Sequence, residues 1–561
     1  MTEAVIHPAL VLIGGAVLLP LLRGRVRAAG IVALPLLALA LVWQVPDGPA
    51  WQLRWLDFTL APLQGDKLSR LFATIFALMA AGGGLFALTQ PSRVEVPAAF
   101  VYAGSAMGVA LAGDLVTVFV FWELMAVGST LVLWSQGGDA AYRAARRYLM
   151  IHLAGGAVLF AGITGHVVDS GSVAFTRMAP DSVAQGLILA GFLINAGAVP
   201  LSAWLPDAYP EASWSGTVFL SAFTTKAAVY VLIRGFPGTE LLIWVGVAMI
   251  FYGIVYALLE NDMRRILAYS IVNQVGFMIA GIGIGTEMAL NGAAAHAFTH
   301  IIYKGLLLMS AGSVLLMTNR RKCSELGGLF HTMPLTTICG TIGALAISSF
   351  PLTSGFVSKS MISQAAADGH LQTVWLLLAA ASAGVFLHAG IKFPWFVFFQ
   401  KDSGLRPPEP PASMRWAMVF FAFLCIALGV WAEPLYALLP FPVRYEPYTA
   451  AHVLTQLQLL LFSGLAFFVM LPYLRRTPTI TLDTDWLWRR LLPALAGVAS
   501  AAIGGGRRGV AAGADAVVRG ARAAVERSHG ADSRLARTWP TGVMALGALV
   551  LMAGYLLLFY L

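Results

Sequence analysis

An all-α polytopic membrane protein with about 16 crossings is the fold class this sequence predicts, and three observations predict it. The 561 residues are 58% hydrophobic and only 11% charged, with a mean hydropathy of +0.78; a soluble chain of this length would carry about a quarter charged residues. Apolar runs of roughly 18 or more residues, long enough to cross a hydrocarbon core as helices, recur along the whole chain. Lys and Arg gather in alternate connections, as they do on the cytoplasmic side of membrane proteins.

The runs follow in order. The first, 4–22, is preceded only by Glu3 as a charge and has no basic leader or small-residue cleavage site, so it reads as a retained helix and not a signal peptide. Runs 27–45, 70–90, 96–113 and 115–135 come next, and "FVFWELMAVGSTLVLW" in the last of these sets Glu123 among apolar and small residues. Run 140–164 precedes 182–205, which carries Pro200 and Pro206, and 213–236 holds Lys226 in "FTTKAAVYVLIR". Runs 241–260 and 263–283 lead to 289–317, with "HAFTHIIYKG", and then to 333–365, where "SSFPLTSGFVSKSMI" places Pro351 and Gly355 shortly before Lys359. Run 371–399 contains His388 and Lys392 in "FLHAGIKFPWF"; 414–437, 456–475 and 543–561 complete the set. Residues 476–542 differ in texture, being rich in Ala, Gly and Arg. Gly504, Gly505 and Gly506 are expected to interrupt a helix there. "AAGADAVVRGARAAVERS" is expected to form an amphipathic helix on the inner membrane surface, and a mobile, solvated loop is the competing reading.

With the N-terminus outside, 15 Lys and Arg fall in inner connections before residue 475 and six outside. Both termini are then on the outer side of a bacterial inner membrane. The formal net charge of +9 is accordingly an orientation signal and not a nucleic-acid signature. Lys226, Lys304, Lys359 and Lys392 remain, all inside predicted membrane segments.

Charges at membrane depth cost several kcal/mol unless paired or hydrated, so several together read better as an ion path than as packing. Glu123 alone would be read as a neutral, hydrogen-bonded acid tying helices together. His296, His300 and Lys304 stand at i, i+4, i+8 along one helical face, in the manner of a proton relay. His388 and Lys392 repeat the spacing nearer a segment end, where a structural reading competes closely. Proline in the seventh and twelfth segments predicts helices broken inside the membrane, tolerated only where protein or water satisfies the freed backbone. Paired discontinuities of this kind point to an ion site.

Taken together, "FWELM", "VPLSAWLPDAYPEA", "TTKAAVYVLIR", "NDMRRILAYSIVNQVGFM", "HAFTHIIYKGLLLMSAGSV" and "FPLTSGFVSK" resemble the antiporter-like subunits shared by respiratory complex I and the Mrp-type cation/proton antiporters. The likeness covers about residues 60–440 and is closest to the D-type subunits of Na⁺/H⁺ antiporters. The resemblance implies a 14-helix core with two inverted five-helix repeats, followed here by two extra C-terminal transmembrane helices, and it adds a further reading of residues 476–542 as a lateral helix that straps neighbouring subunits together. It divides the chain into N-terminal helices (1–95), repeats at 96–236 and 241–399, C-terminal helices (414–475), the basic segment (476–542) and a last helix (543–561). It also implies roles: Glu123 as the fifth-helix glutamate, Lys226 as the eighth-helix lysine, His296, His300 and Lys304 as the connecting group, and Lys359 as the lysine of the second broken helix. One position departs. Asn195 stands where most relatives carry the lysine that pairs with the glutamate, so Glu123 is expected to rest protonated beside a hydrogen-bonding Asn195, with Lys226 as its charge partner.

Cys323, Cys339 and Cys425 are too widely spaced for a disulfide framework or metal site, and no phosphate loop occurs, so no cofactor or metal is expected. Asp114, Asp207 and Glu211 are candidates for a coupled-cation site by their nearness to segment ends. Three classes stay open: a component of a multi-subunit cation/proton antiporter; a redox-centre-free translocase subunit of an NADH-quinone oxidoreductase or membrane-bound hydrogenase; and a membrane partner of an inorganic-carbon uptake system. Likeness to the D-type antiporter subunits favours the first, with other membrane subunits, the lipid bilayer, protons and Na⁺ as partners.

Overall fold

The computed structural model describes residues 5–473, 483–530 and 540–560. Two compact units comprise Met1–Asp485 and Trp486–Leu561. In the first, α1 (Pro8–Leu18) and α2 (Gly24–Val42) precede a hairpin of β1 (Gly48–Trp55) and β2 (Phe58–Gly65). Then come α3 (Lys67–Phe86), α4 (Glu95–Leu111), α5 (Leu115–Trp134) and the long α6 (Gly138–Ser170). The next stretch is fragmented: α7 (Val183–Ala196), α8 (Trp204–Ala208), α9 (Gly216–Leu220) and α10 (Thr224–Gly235). Long helices resume with α11 (Leu241–Leu259), α12 (Met263–Ile284) and α13 (Glu287–Thr318). After α14 (Pro334–Ile347), α15 (Ser354–Asp368) and α16 (Gln372–Val385), the backbone widens into π-helical turns at Phe386–Lys392 and Trp395–Phe399. This unit closes with α17 (Ala412–Val430), α18 (Glu433–Ala437) and α19 (Ala450–Met470). The second unit contains α20 (Leu492–His529) and α21 (Thr541–Tyr560).

The protein is a multi-pass helical membrane protein. Among the described residues, 12 helices are long and apolar enough to cross a bilayer, and shorter apolar helices at Pro8–Leu21, Glu95–Leu111, Val183–Ala196 and Pro334–Ile347 occupy the remaining predicted segments. Helix starts are held by side-chain caps: Asp114 accepts from the Thr117 backbone N–H at the head of α5, and Thr286 from Ala289 at the head of α13. The centre of the unit is α12, buried along its whole spanning length. It lies close to α11 because small residues face each other: a Cβ on Gly246 would come within 2.5 Å of the Gly276 carbonyl and the Ala280 N–H nitrogen.

Both predicted helix breaks are present. The first separates α7 from α8, with Gly197 in the left-handed region at φ 75°. The second separates α14 from α15, with Ser349 and Leu352 also at positive φ. There the chain returns so tightly that a Cβ on Gly355 would lie 1.9 Å from the Ala346 carbonyl oxygen.

Three features differ from the sequence reading. The run 213–236 is not one helix, since Ser221–Phe223 separate α9 from α10 and put Lys226 in the first turn of α10. Residues 48–65, read only as a connection, form an antiparallel hairpin. Gly504, Gly505 and Gly506 do not interrupt the backbone of α20, which is continuous over 38 residues. Glycine costs about 1 kcal/mol per site in a helix interior, and here alanine-rich flanks carry the helix through.

Candidate functional site

Charged side chains at one end of the bundle are committed to structure. Arg147 makes two parallel bonds to Asp207, at 2.7 and 2.8 Å. Arg321 bridges Glu211 at 3.1 Å and Asp262 at 2.9 Å. Arg264, 3% exposed, donates to the carbonyls of Pro210, Ala212 and Ser213 and to Thr217 Oγ1, which gathers the stretch between α8 and α9 around one guanidinium. Asp114 is also occupied: its oxygens accept from the N–H groups of Ala61 and Thr117 and from the Thr117 hydroxyl, at 2.7–2.8 Å. The cation-site expectation for Asp114, Asp207 and Glu211 is therefore corrected. Each is a cap or an ion-pair partner, and nearness to a segment end reflected that duty.

The relay candidates are brought together in the interior. His296, His300 and Lys304 project from α13 and are fully buried. His296 Nε2 lies 2.9 Å from Gln274 Oε1 and Nδ1 lies 3.2 Å from Ser358 Oγ, so this ring joins α12 to α15. Lys304 Nζ donates to Ser270 Oγ at 2.9 Å. Neither ring nitrogen of His300 has a hydrogen-bond partner. His300 stands within electrostatic reach of Lys226, Lys304 and His296, and His296 within reach of Lys359. Lys359 Nζ makes no hydrogen bond and rests 4.4 Å over the Phe277 ring, beside a cavity of about 390 Å³ also bordered by Ser360, Ser382 and Gln456. Titratable groups that share one interior titrate as a coupled set and not one by one.

The first half is arranged otherwise than expected. Glu123 is half-buried on α5, and its Oε1 has no hydrogen-bond partner. Lys226, fully buried, does not pair with it: Nζ donates to the Ser221 carbonyl at 2.7 Å and to Thr225 Oγ1 at 3.0 Å, held by the break ahead of α10. Asn195 makes no hydrogen bond to Glu123, since both its amide atoms are buried without partners. Helix α6 runs against the carboxylate, and a Cβ on Gly156 would fall 1.9 Å from Glu123 Oε1. The expected charge partner and hydrogen-bonding neighbour of Glu123 are thus both corrected.

His388 and Lys392 lie in the π-helical turn. Lys392 Nζ donates to the carbonyls of Ala257, Leu258 and Glu260, at 3.1, 2.6 and 2.5 Å. An ammonium on the unsatisfied carbonyls of a helix end is a cap, and the structural reading of Lys392 follows. Lys392→Met is expected to destabilise the fold by about 3 kcal/mol, the loss of hydrogen bonds to a charged group, as checked by thermal unfolding in detergent.

Sequence reasoning missed Ser270, Gln274 and Ser358, which orient the connecting group, because ordinary polar residues in apolar runs carry no signal of their own. It also missed Glu95, placed in a connection although fully buried. Glu95 accepts from Gln90 Nε2 at 3.1 Å, from Ser135 at 3.1 Å and from Ser215.

Buried lysines and histidines between two broken helices, in a multi-pass membrane protein, are the architecture of an antiporter-like membrane subunit. The chain belongs to the NADH:quinone oxidoreductase/Mrp antiporter transmembrane family. Residues 112–386 match that family. The chain is 31% identical over 450 residues to the N subunit of the NADH-quinone oxidoreductase of Desulforudis audaxviator, covering 73% of this chain and 90% of that protein. It is 29% identical over 406 residues to the A/B subunit of a probable K(+)/H(+) antiporter of Rhizobium meliloti, covering 67% of this chain but only 40% of the relative's length. Its fold is similar to a chain in the structure of the Mrp complex from Dietzia, with a TM-score of 0.76 and 24% identity, over 88% of this chain and 59% of that one.

Proposed function

We propose that this chain is a proton-translocating membrane subunit of an Mrp-type cation/proton antiporter in a bacterial inner membrane, working among other membrane subunits. One observation carries the reading: an interior line of titratable groups runs from Lys226 through Lys304 and His300 to His296, which bonds Ser358 beside Lys359, and the Lys359 Nζ has no structural bond to keep. A proton enters by Glu123, is handed along as each site's charge alters the next, and leaves by Lys359. Residues 96–236 and 241–399 act as two repeats of opposite orientation, each with its broken helix. Residues 476–542 contain the amphipathic helix proposed to lie on the inner membrane surface.

The match to a component of an NADH-quinone oxidoreductase over 90% of its length favours a second reading, the proton-pumping arm of a redox complex. Affinity purification from the native membrane separates the two. Small multi-helix subunits, with sodium- or potassium-dependent ΔpH in vesicles, support the antiporter; co-purifying iron–sulfur or flavin subunits overturn it in favour of the pump. Under either reading Glu123→Gln is expected to lower proton flux on the order of 100-fold, and wild-type flux in that variant would return Glu123 to a helix-tying role.

A further inference from the structure

Buried polar atoms without partners gather around α6: Glu123 Oε1, His152 Nε2 and both amide atoms of Asn195. Native interiors leave few such orphans, and polar ones are places for ordered water. Helix α6 brings them to one place. Gly156 abuts the Glu123 carboxylate, and His152 lies one turn earlier on the same face. A Cβ on Gly155 would meet Ile194 at 3.0 Å, next to Asn195. His152 is 1% exposed, stacks on Tyr148 at 3.9 Å and meets Trp204 edge-on at 4.6 Å. Trp204 Nε1 in turn donates to the Ile194 carbonyl, at the first helix break.

The tautomer of His152 is set by its surroundings. Nδ1 lies 2.9 Å from the Tyr148 carbonyl oxygen, which can only accept, so Nδ1 carries the hydrogen and Nε2 keeps a free lone pair. Beyond the ring, Tyr148 donates its hydroxyl to Ser129 Oγ at 2.9 Å and lies 3.3 Å from Thr224 Oγ1. Thr224 precedes Thr225, whose hydroxyl accepts from Lys226 Nζ at 3.0 Å. His152 thus stands between Glu123 and Lys226, which do not touch each other.

We propose that His152 is a proton-carrying residue of the first half-channel, joining Glu123 to Lys226 across α6. This rests on the relay reading above. The Glu123 carboxyl gives its proton to an intervening water as that water gives one to Nε2, leaving a carboxylate and an imidazolium with both N–H bonds. The imidazolium then releases its Nε2 proton, by way of water and the hydroxyls of Tyr148 and Thr224, to the Lys226 amine, which becomes an ammonium while the ring returns to neutral. Asn195, which has no titratable group, takes no proton in this sequence.

The test measures proton flux in vesicles holding the full native assembly, normalised to the amount of this chain. His152→Gln keeps a donor for the Tyr148 carbonyl but cannot carry a proton, and its flux is expected to fall on the order of 100-fold, as for Glu123→Gln. Adding Asn195→Lys, which returns a titratable group to the same break, is expected to recover flux, a rescue that a packing role would not produce. Wild-type flux in His152→Gln beside a dead Glu123→Gln overturns the proposal and leaves the relay standing. Wild-type flux in both sinks the relay reading itself. Should His152→Gln fail to assemble, Tyr148→Phe decides, since it keeps the stacked ring and the backbone carbonyl: reduced flux supports the route, and wild-type flux overturns it.

Discussion

Lys359→Met is expected to stop proton flux while leaving the fold no less stable. Lys359 is 1% exposed and its Nζ has no hydrogen-bond partner, with the Phe277 face beneath it at 4.4 Å. A cation–π contact is worth about 2 kcal/mol when desolvated, whereas a charge buried without a partner costs several kcal/mol. Deleting the amine therefore removes more strain than it removes attraction. Along the line transport has no substitute for it, because the groups before it, His296 and His300, do not border the serine-lined cavity that Lys359 reaches, while His452, which does border it, is tied to the Pro447 carbonyl and stacked on Phe356. Flux is expected to fall by about 10²–10⁴-fold with an unchanged or raised unfolding temperature in detergent. A lowered unfolding temperature with normal flux would instead make Lys359 a packing residue.

Arg264→Met should do the opposite. The guanidinium is the donor for three backbone carbonyls, of Pro210, Ala212 and Ser213. Methionine fills the space but strips the Ala212 carbonyl of its donor and leaves the Ser213 and Pro210 carbonyls only the weaker bonds from Thr217 and Arg321, at 3.2 and 3.4 Å; each buried acceptor that loses its charged donor costs about 1–3 kcal/mol. The expected result is a loss of more than about 3 kcal/mol of stability, seen as poor accumulation in the membrane and a lower unfolding temperature. The molecules that do fold should carry near-normal flux. Wild-type stability would mean that other donors replace the guanidinium; normal accumulation with lost flux would move Arg264 into the transport path. The two variants separate function from fold because one cation lacks bonds and the other is saturated with them.

Much of this was legible in the residues. Each of the 16 apolar runs coincides with apolar helix, since a backbone that must satisfy its own hydrogen bonds in lipid has few alternatives. Pro200, Pro206 and Pro351 marked two of the breaks, because proline removes a donor wherever it stands. The i, i+4, i+8 spacing placed His296, His300 and Lys304 on one face of α13, a consequence of helical pitch alone. The break at Ser221–Phe223 had no proline to announce it. His152 carried a signal, a histidine in mid-run four residues after a tyrosine, but a lone histidine is ordinarily a satisfied core residue.

By itself the sequence determined the membrane class, the order of the apolar segments, and which side chains are titratable at membrane depth, all of them consequences of local composition and periodicity. Only the tertiary structure decided which of those charges are free. Lys392 and Lys359 read alike, each a lysine in an apolar run, yet one caps α11 and the other rests unbonded on a ring. Glu123 and Lys226 looked like a pair and are not, because α6 lies against the Glu123 carboxyl group and the Ser221 carbonyl holds Lys226 Nζ. A charge's partner is set by what distant segments bring within about 3 Å of it, and no local pattern in a chain specifies that distance.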